Sequence, residues 1–172
     1  MRSSGGPPGG SRRDYVSRMS THVLFVCTGN TCRSPMAEAL LRGAAAARGL
    51  DQVVVSSAGA GAWDGAPVSE GAYLVGLENG LDLSNHRARL LTREIVKGAD
   101  VILVMSGHHL ARVAELGGED KAHLLGAYAG REPGQTEVTD PFGSDLASYR
   151  HTYAELQDMI GAVVSRVAGT VR

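Results

Sequence analysis

The strongest constraint on this chain is one short passage in which an apolar run, a compact polar turn and a helix start follow each other without a spacer. Val23, Leu24, Phe25 and Val26 have the β-branched, aliphatic and aromatic character of a buried strand. Ser34 suits an N-cap and Pro35 the first helical position. Between strand and helix, Cys27, Thr28, Gly29, Asn30, Thr31, Cys32 and Arg33 must turn the backbone within a single loop. Successive N–H groups in such a turn, facing a helix N-terminus, make a cradle for a tetrahedral anion.

The side chains of the loop fit that use. Gly29 lets the backbone bend where a Cβ would clash. Arg33 can fork two N–H donors onto two oxygens of the anion. Cys27 opens the loop at the bottom of the cradle, where those donors and Arg33 would stabilise its thiolate. A thiolate beneath a bound phosphate is a nucleophile aimed at phosphorus.

The rest of the chain supplies a scaffold for this loop. Its 172 residues suit one domain with a proper core. Met36, Ala37, Leu40, Leu41 and Ala44 recur at helical spacing as far as about Arg48, and Gly49 ends the helix. Val53 to Ser57 reads as a second strand, which completes a βαβ unit and implies a parallel sheet with a right-handed crossover. A Gly, Ala and Pro-rich loop holding Trp63 runs to Pro67.

A helix is expected over Ser69 to Asn79 with Gly80 as its stop, then an irregular stretch from Leu81 to Leu91. Thr92 caps a short helix to Lys97, and Asp100 to Met105 is a clear strand. Ser106 to Leu116 reads as helix, Lys121 to Leu125 as a weaker strand, and Gly126 to Thr139 as loop. The last helix spans Ser144 to about Ala168, with Leu146, Tyr149, Tyr153, Leu156 and Ile160 on one face. The expected fold is α/β, a single doubly wound domain with a four-stranded parallel sheet flanked by helices on both faces and its site at the strand C-termini.

Residues 1–20 differ in character. They are rich in Gly, Pro and Ser without an apolar stretch, so a disordered tail ahead of a 21–172 domain is expected. Its arginines without an apolar segment do not make a secretory signal, and Met19 is a candidate start. A net charge of −1 gives no reason to expect nucleic acid or a membrane as partner. The apolar runs fall far short of the roughly 18 residues that span a bilayer. Two cysteines, one placed as a working thiolate, suit a reducing cytoplasm rather than a disulfide scaffold.

The Cys27-x5-Arg33-Ser34 spacing, set after a strand and before a Ser-Pro helix start, resembles the low-molecular-weight protein tyrosine phosphatase family, which includes the bacterial protein arginine phosphatases. The likeness extends from about His22 to the last helix, and the run Cys27 to Glu38 is similar to the arginine branch. It implies a metal-independent phosphatase working through a phosphocysteine intermediate, with no cofactor. Phosphorylated proteins would be its substrates, and inorganic phosphate or related oxyanions would occupy its loop. The resemblance assigns Cys27 as nucleophile, Arg33 as phosphate ligand and stabiliser of transition-state charge, and Ser34 as helper of the thiolate leaving group. Asn30, Ser57 and His86 match residues that hold the loop in shape through hydrogen bonds. Asp140, in Asp140-Pro141-Phe142-Gly143, matches the general acid that protonates the leaving atom and then serves as base toward water. Cys32 reads either as a small packing residue or as the redox partner of Cys27.

Substrate choice rests on fewer residues. Thr31 stands where tyrosine-specific relatives usually carry a larger aliphatic residue and the arginine phosphatases carry Thr; its hydroxyl can bond a guanidinium. Gly143 replaces a second aromatic usual after Asp-Pro, and Ser106 replaces a common acidic residue. Phe142 can stack on a phenol ring or on a guanidinium. Phosphoarginine is therefore the expected substrate and phosphotyrosine the alternative. An arsenate reductase would need shuttle cysteines beyond Cys27 and Cys32, and a non-catalytic phosphate-binding module would lack the nucleophile or the acid. No metal-ligand pattern is visible. His108 and His109 are adjacent on an expected helix, point in different directions and read as surface residues.

Overall fold

The structure, a computed structural model, describes residues 20–171. The expectations for a disordered N-terminal tail and for Met19 as start fall on residues 1–19, outside the described residues. Four parallel strands make one sheet: β1 (Thr21–Cys27), β2 (Val53–Gly59), β3 (Val101–Val104) and β4 (Ala122–Leu124), in the order β2-β1-β3-β4. The connecting helices are α1 (Arg33–Ala47), α2 (Glu70–Glu78), α3 (Arg93–Gly98), α4 (Gly107–Glu115), α5 (Leu125–Tyr128) and α6 (Leu146–Ala168).

β1 is central and buried on both faces, which explains its unbroken apolar sequence. Val23, Phe25 and Cys27 face a core with Met36, Ala37 and Leu41 of α1, Val75 of α2 and Leu156, Ile160 and Val163 of α6. Leu24 and Val26 face the opposite layer, against Val96 of α3 and Val113 of α4. The period-two alternation of a strand thus feeds two helical layers. β1 also separates the two directions of winding, since the chain goes to β2 on one side and later to β3 on the other. In such sheets the crevice opens at the carboxyl ends of the strands where the order reverses. Cys27 is the last residue of β1, so the fold sets it at that point.

Most expected elements form with small changes at their ends. Thr92 Oγ1 accepts the Ile95 N–H at 3.2 Å, and Gly49 and Gly80 close their helices in the left-handed region, with φ of 66° and 76°. Leu146, Tyr149, Tyr153, Leu156 and Ile160 of α6 pack into or against the larger core. The stretch expected to be loop after Leu125 instead begins with the single helical turn α5. Gly126 sits against the backbone of Thr136, where a Cβ would collide, and its N–H donates to Thr136 O at 3.0 Å. Tertiary contact overrides the weak helix propensity of that glycine. Among the described residues no helix is long and apolar enough to cross a membrane.

Candidate active site

The loop between β1 and α1 wraps around the sulfur of Cys27. That side chain is buried, the Asn30 N–H donates to its Sγ at 3.3 Å, and Ser34 Oγ lies 2.9 Å away. Both contacts bring hydrogen-bonding groups onto the sulfur. Ser34 is not the helix cap its sequence position suggests. α1 already begins at Arg33, with Cys32 in the cap position, and the Ser34 hydroxyl turns inward. The interior pair of Cys27 and Asn30 outcompetes a backbone N–H for that hydroxyl.

Asn30 fixes the curvature of the loop. Its φ of 55° makes it the one non-glycine residue in the left-handed region among the described residues. The side chain is fully buried, and its Nδ2 donates to Ser34 Oγ and to Ser57 Oγ, each at 2.9 Å. Its Oδ1 accepts the Arg89 N–H at 3.0 Å, and its carbonyl is 2.7 Å from His86 Nε2. Strand β2, helix α1 and the stretch around His86 and Arg89 thus each hold the loop. Gly59, at the end of β2, is needed for the same closeness, since a Cβ there would stand 2.5 Å from Thr28 O and 2.8 Å from Asn30 N.

Arg33 is buried to 3 % exposure, unusual for a guanidinium, and both terminal nitrogens have partners. Nη1 donates to Ser106 Oγ at 3.0 Å and to Val138 O at 3.1 Å; Nη2 is 3.5 Å from Asp140 Oδ2. Asp140 is about half exposed at the mouth, and its Oδ1 accepts the Phe142 N–H at 3.0 Å. The loop that carries Asp140 is tethered from both sides: Val138 N–H donates to Met105 O at 2.9 Å, and Thr152 Oγ1 of α6 donates to Thr139 O at 3.0 Å.

These groups enclose one cavity of about 190 Å³, lined by Cys27, Thr28, Gly29, Thr31, Cys32, Arg33, Asp140 and Phe142. The structure brings the nucleophile, arginine and acid expected from sequence to its walls; Ser34, Asn30, Ser57 and His86 lie behind them. Phe142 is 71 % exposed and forms an aromatic lip. Cys32 Sγ is reduced and engages Ser69 Oγ at 3.1 Å and Tyr149 OH at 3.5 Å. Burial raises the Tyr149 phenol above its ordinary pKa, so it stays neutral. Chemically, the pocket can accept an oxyanion between Arg33 and the loop, with a thiol beneath it and a carboxyl at the opening.

Several participants were not visible in the sequence. His109, expected on the surface, is fully buried, 2.9 Å from Thr28 Oγ1 through Nε2. The first turn of α4 points inward there, and His109 Nδ1 accepts the Ser106 N–H at 3.1 Å. The Ser106-x-x-His109 spacing at a helix start was the available signal. Val138 contributes a carbonyl, which no side-chain pattern reveals; Ser69 is expected only as a helix start and Tyr149 only on one face of the last helix.

The model of low molecular weight phosphotyrosine protein phosphatases matches residues 22–171. The chain is 38 % identical over 145 residues to a probable low molecular weight protein-tyrosine-phosphatase, EpsP, of Ralstonia nicotianae, covering 84 % of this chain and 94 % of that protein. It is 39 % identical over 140 residues to the protein-arginine-phosphatase of Bacillus subtilis, covering 80 % and 91 %. Among solved structures, a mutant of the arginine phosphatase YwlE with a phosphorylated active site serine superposes with a TM-score of 0.80 at 34 % identity, over 86 % of this chain and 96 % of that one. With a strand-loop-helix pocket of this construction and a match across nearly all the described residues, the chain is an enzyme of the low molecular weight protein phosphatase family.

Proposed function

We propose that this phosphatase hydrolyses phosphoarginine in proteins, with Cys27 as nucleophile and without a metal or cofactor. The phosphoryl group sits between the loop N–H groups and Arg33, and the Cys27 thiolate attacks phosphorus. The P–N bond breaks as Asp140 delivers a proton to the departing guanidinium nitrogen. Asp140, now a carboxylate, takes a proton from water as that water attacks the phosphocysteine. Sulfur leaves as thiolate, assisted by Ser34, and phosphate departs. The YwlE mutant phosphorylated on its active site serine supports a covalent phosphoenzyme as the intermediate.

The observation that carries the arginine assignment is Thr31 on the cavity wall. Its Oγ1 has a long contact to Cys32 Sγ at 3.7 Å, which leaves acceptor capacity for a guanidinium N–H. A phenol ring offers no donor at that place. The aromatic lip of Phe142 suits either planar group, and Gly143 beside it, with φ of 75°, adds no second ring. The tyrosine-phosphatase relatives make phosphotyrosine the competing reading.

Cys32, on the wall of the same cavity, is proposed to protect Cys27. Peroxide oxidises Cys27 to a sulfenic acid and is itself reduced to water. The Cys32 thiol then displaces the sulfenic oxygen as a second water, which leaves a reducible disulfide. Such thiol chemistry fits a reducing, cytoplasmic setting.

The substrate assignment is tested by kcat/KM on matched peptides carrying phosphoarginine or phosphotyrosine, with Cys27→Ser as blank. A preference for phosphoarginine that shrinks in Thr31→Ile is expected. A preference for phosphotyrosine would overturn the arginine assignment and leave the phosphatase chemistry intact.

A further inference from the structure

His109 is a buried imidazole between two parts of the pocket, and both ring nitrogens are used. Nδ1 accepts the backbone N–H of Ser106 at 3.1 Å, so the ring proton of the neutral form resides on Nε2. Nε2 is 2.9 Å from Thr28 Oγ1 and therefore donates to it. Thr28 is the first residue of the loop after the nucleophile and lines the cavity. Ser106 in turn accepts from Arg33 Nη1 at 3.0 Å. One ring thus connects the start of the phosphate loop to the group that steadies the arginine at its end.

We propose that His109 is a positioning residue for phosphoryl transfer, a neutral Nε2–H imidazole that holds Thr28 and Ser106 in register so that the loop N–H groups and Arg33 converge on the same oxyanion. A residue that only filled the core would be better served by an apolar side chain, because burying an imidazole carries a desolvation cost that its two hydrogen bonds must offset. The charged and titratable neighbours act in the same sense. Burial first, then His108 and Arg33, hold the His109 pKa down to about 4, against an opposing pull from Asp140, so the ring is neutral at neutral pH. Protonation would place a donor on Nδ1 against the Ser106 N–H and would break the link to Arg33.

The inference rests on Arg33 being the oxyanion ligand, and the experiment separates the two. The dissociation constant of inorganic phosphate and the kcat/KM for para-nitrophenyl phosphate are measured at neutral pH for the full chain and for His109→Phe, His109→Gln, Thr28→Val and Arg33→Lys. His109→Phe keeps a ring but removes both bonds, and it is expected to weaken phosphate binding about tenfold, roughly the worth of one aimed hydrogen bond. His109→Gln, which can still donate toward Thr28, is expected to recover part of the loss. The double variant with Thr28→Val is expected to lose less than the sum of the single losses, as for residues acting through one contact. Phosphate affinity within about twofold of the parent in a folded His109→Phe, with Arg33→Lys weakened, overturns the inference and leaves the role of Arg33 standing. Unchanged affinity in Arg33→Lys overturns both. Should His109→Phe fail to fold, Thr28→Val decides alone: a tenfold weakening supports the link, and unchanged affinity contradicts it.

Discussion

Ser34 Oγ lies 2.9 Å from Cys27 Sγ and accepts the Asn30 Nδ2–H at the same distance, so the serine's own proton is the one left to point at sulfur. Asn30 thereby orients the hydroxyl toward the sulfur. The helix start tolerates this because Ser34 already lies within α1 and makes no cap.

Ser34→Ala should therefore slow the second chemical step more than the first. Hydrolysis of the phosphocysteine needs sulfur to leave as thiolate, and loss of one aimed donor costs on the order of tenfold to hundredfold in rate. Stopped-flow turnover of para-nitrophenyl phosphate should show a burst followed by a slower steady state. A kcat equal to that of the parent would rule the donor out.

Asn30 combines a backbone strain and a hydrogen-bond network, and two substitutions pull them apart. Asn30→Gly keeps access to φ of 55° but loses the bonds to Ser34, Ser57 and Arg89. It should destabilise the protein by about 2–4 kcal/mol. Asn30→Ala loses the same bonds and adds about 1 kcal/mol of left-handed strain. Urea unfolding checks the order; equal losses would mean that strain plays no part.

Stability should fall in mild acid because of His109. Its pKa is about 4 in the folded protein and near the ordinary imidazole value of 6.5 when unfolded, so the unfolded chain binds the extra proton first. The contribution of the neutral ring is fully present above the unfolded value and is lost as pH drops from 6.5 through about 4. It amounts to at most about 3 kcal/mol. Denaturant midpoints across that window should decline less in His109→Phe than in the parent protein. Parallel declines would contradict this assignment.

Asp140 stands half exposed beside Arg33, with both carboxylate oxygens engaged. Asp140→Asn should lower kcat by about a hundredfold or more on substrates with poor leaving groups and much less on those whose leaving group needs no proton. A uniform loss across leaving groups would make Asp140 a structural partner of Arg33 rather than the acid.

How much of this was legible in the sequence varied with the kind of signal. β1 and its loop declared themselves because a strand buried on both faces cannot hide a polar residue, and because Cys27 and Arg33 close a loop of fixed length. Ser34 was legible as a hydroxyl at a helix start but not in its direction, which depends on Asn30 reaching across from the left-handed turn. His109 was misread because adjacency to His108 says nothing of which ring the sheet covers; the packing of α4 on β3 and β4 decides that. The turn α5 was missed because Gly126 argues against helix locally, while contact with Thr136 argues for it only after folding.

In the proposed reaction the phosphoryl group passes through Cys27, and this is tested by mixing the enzyme with a phosphoarginine peptide, quenching within a turnover and mapping the modified peptide by mass spectrometry. A phosphoryl group is expected on Cys27, more abundant in Ser34→Ala and absent in Cys27→Ala, which should also be inactive. Turnover that persists in Cys27→Ala, or a phosphoryl group found on another residue, would contradict it.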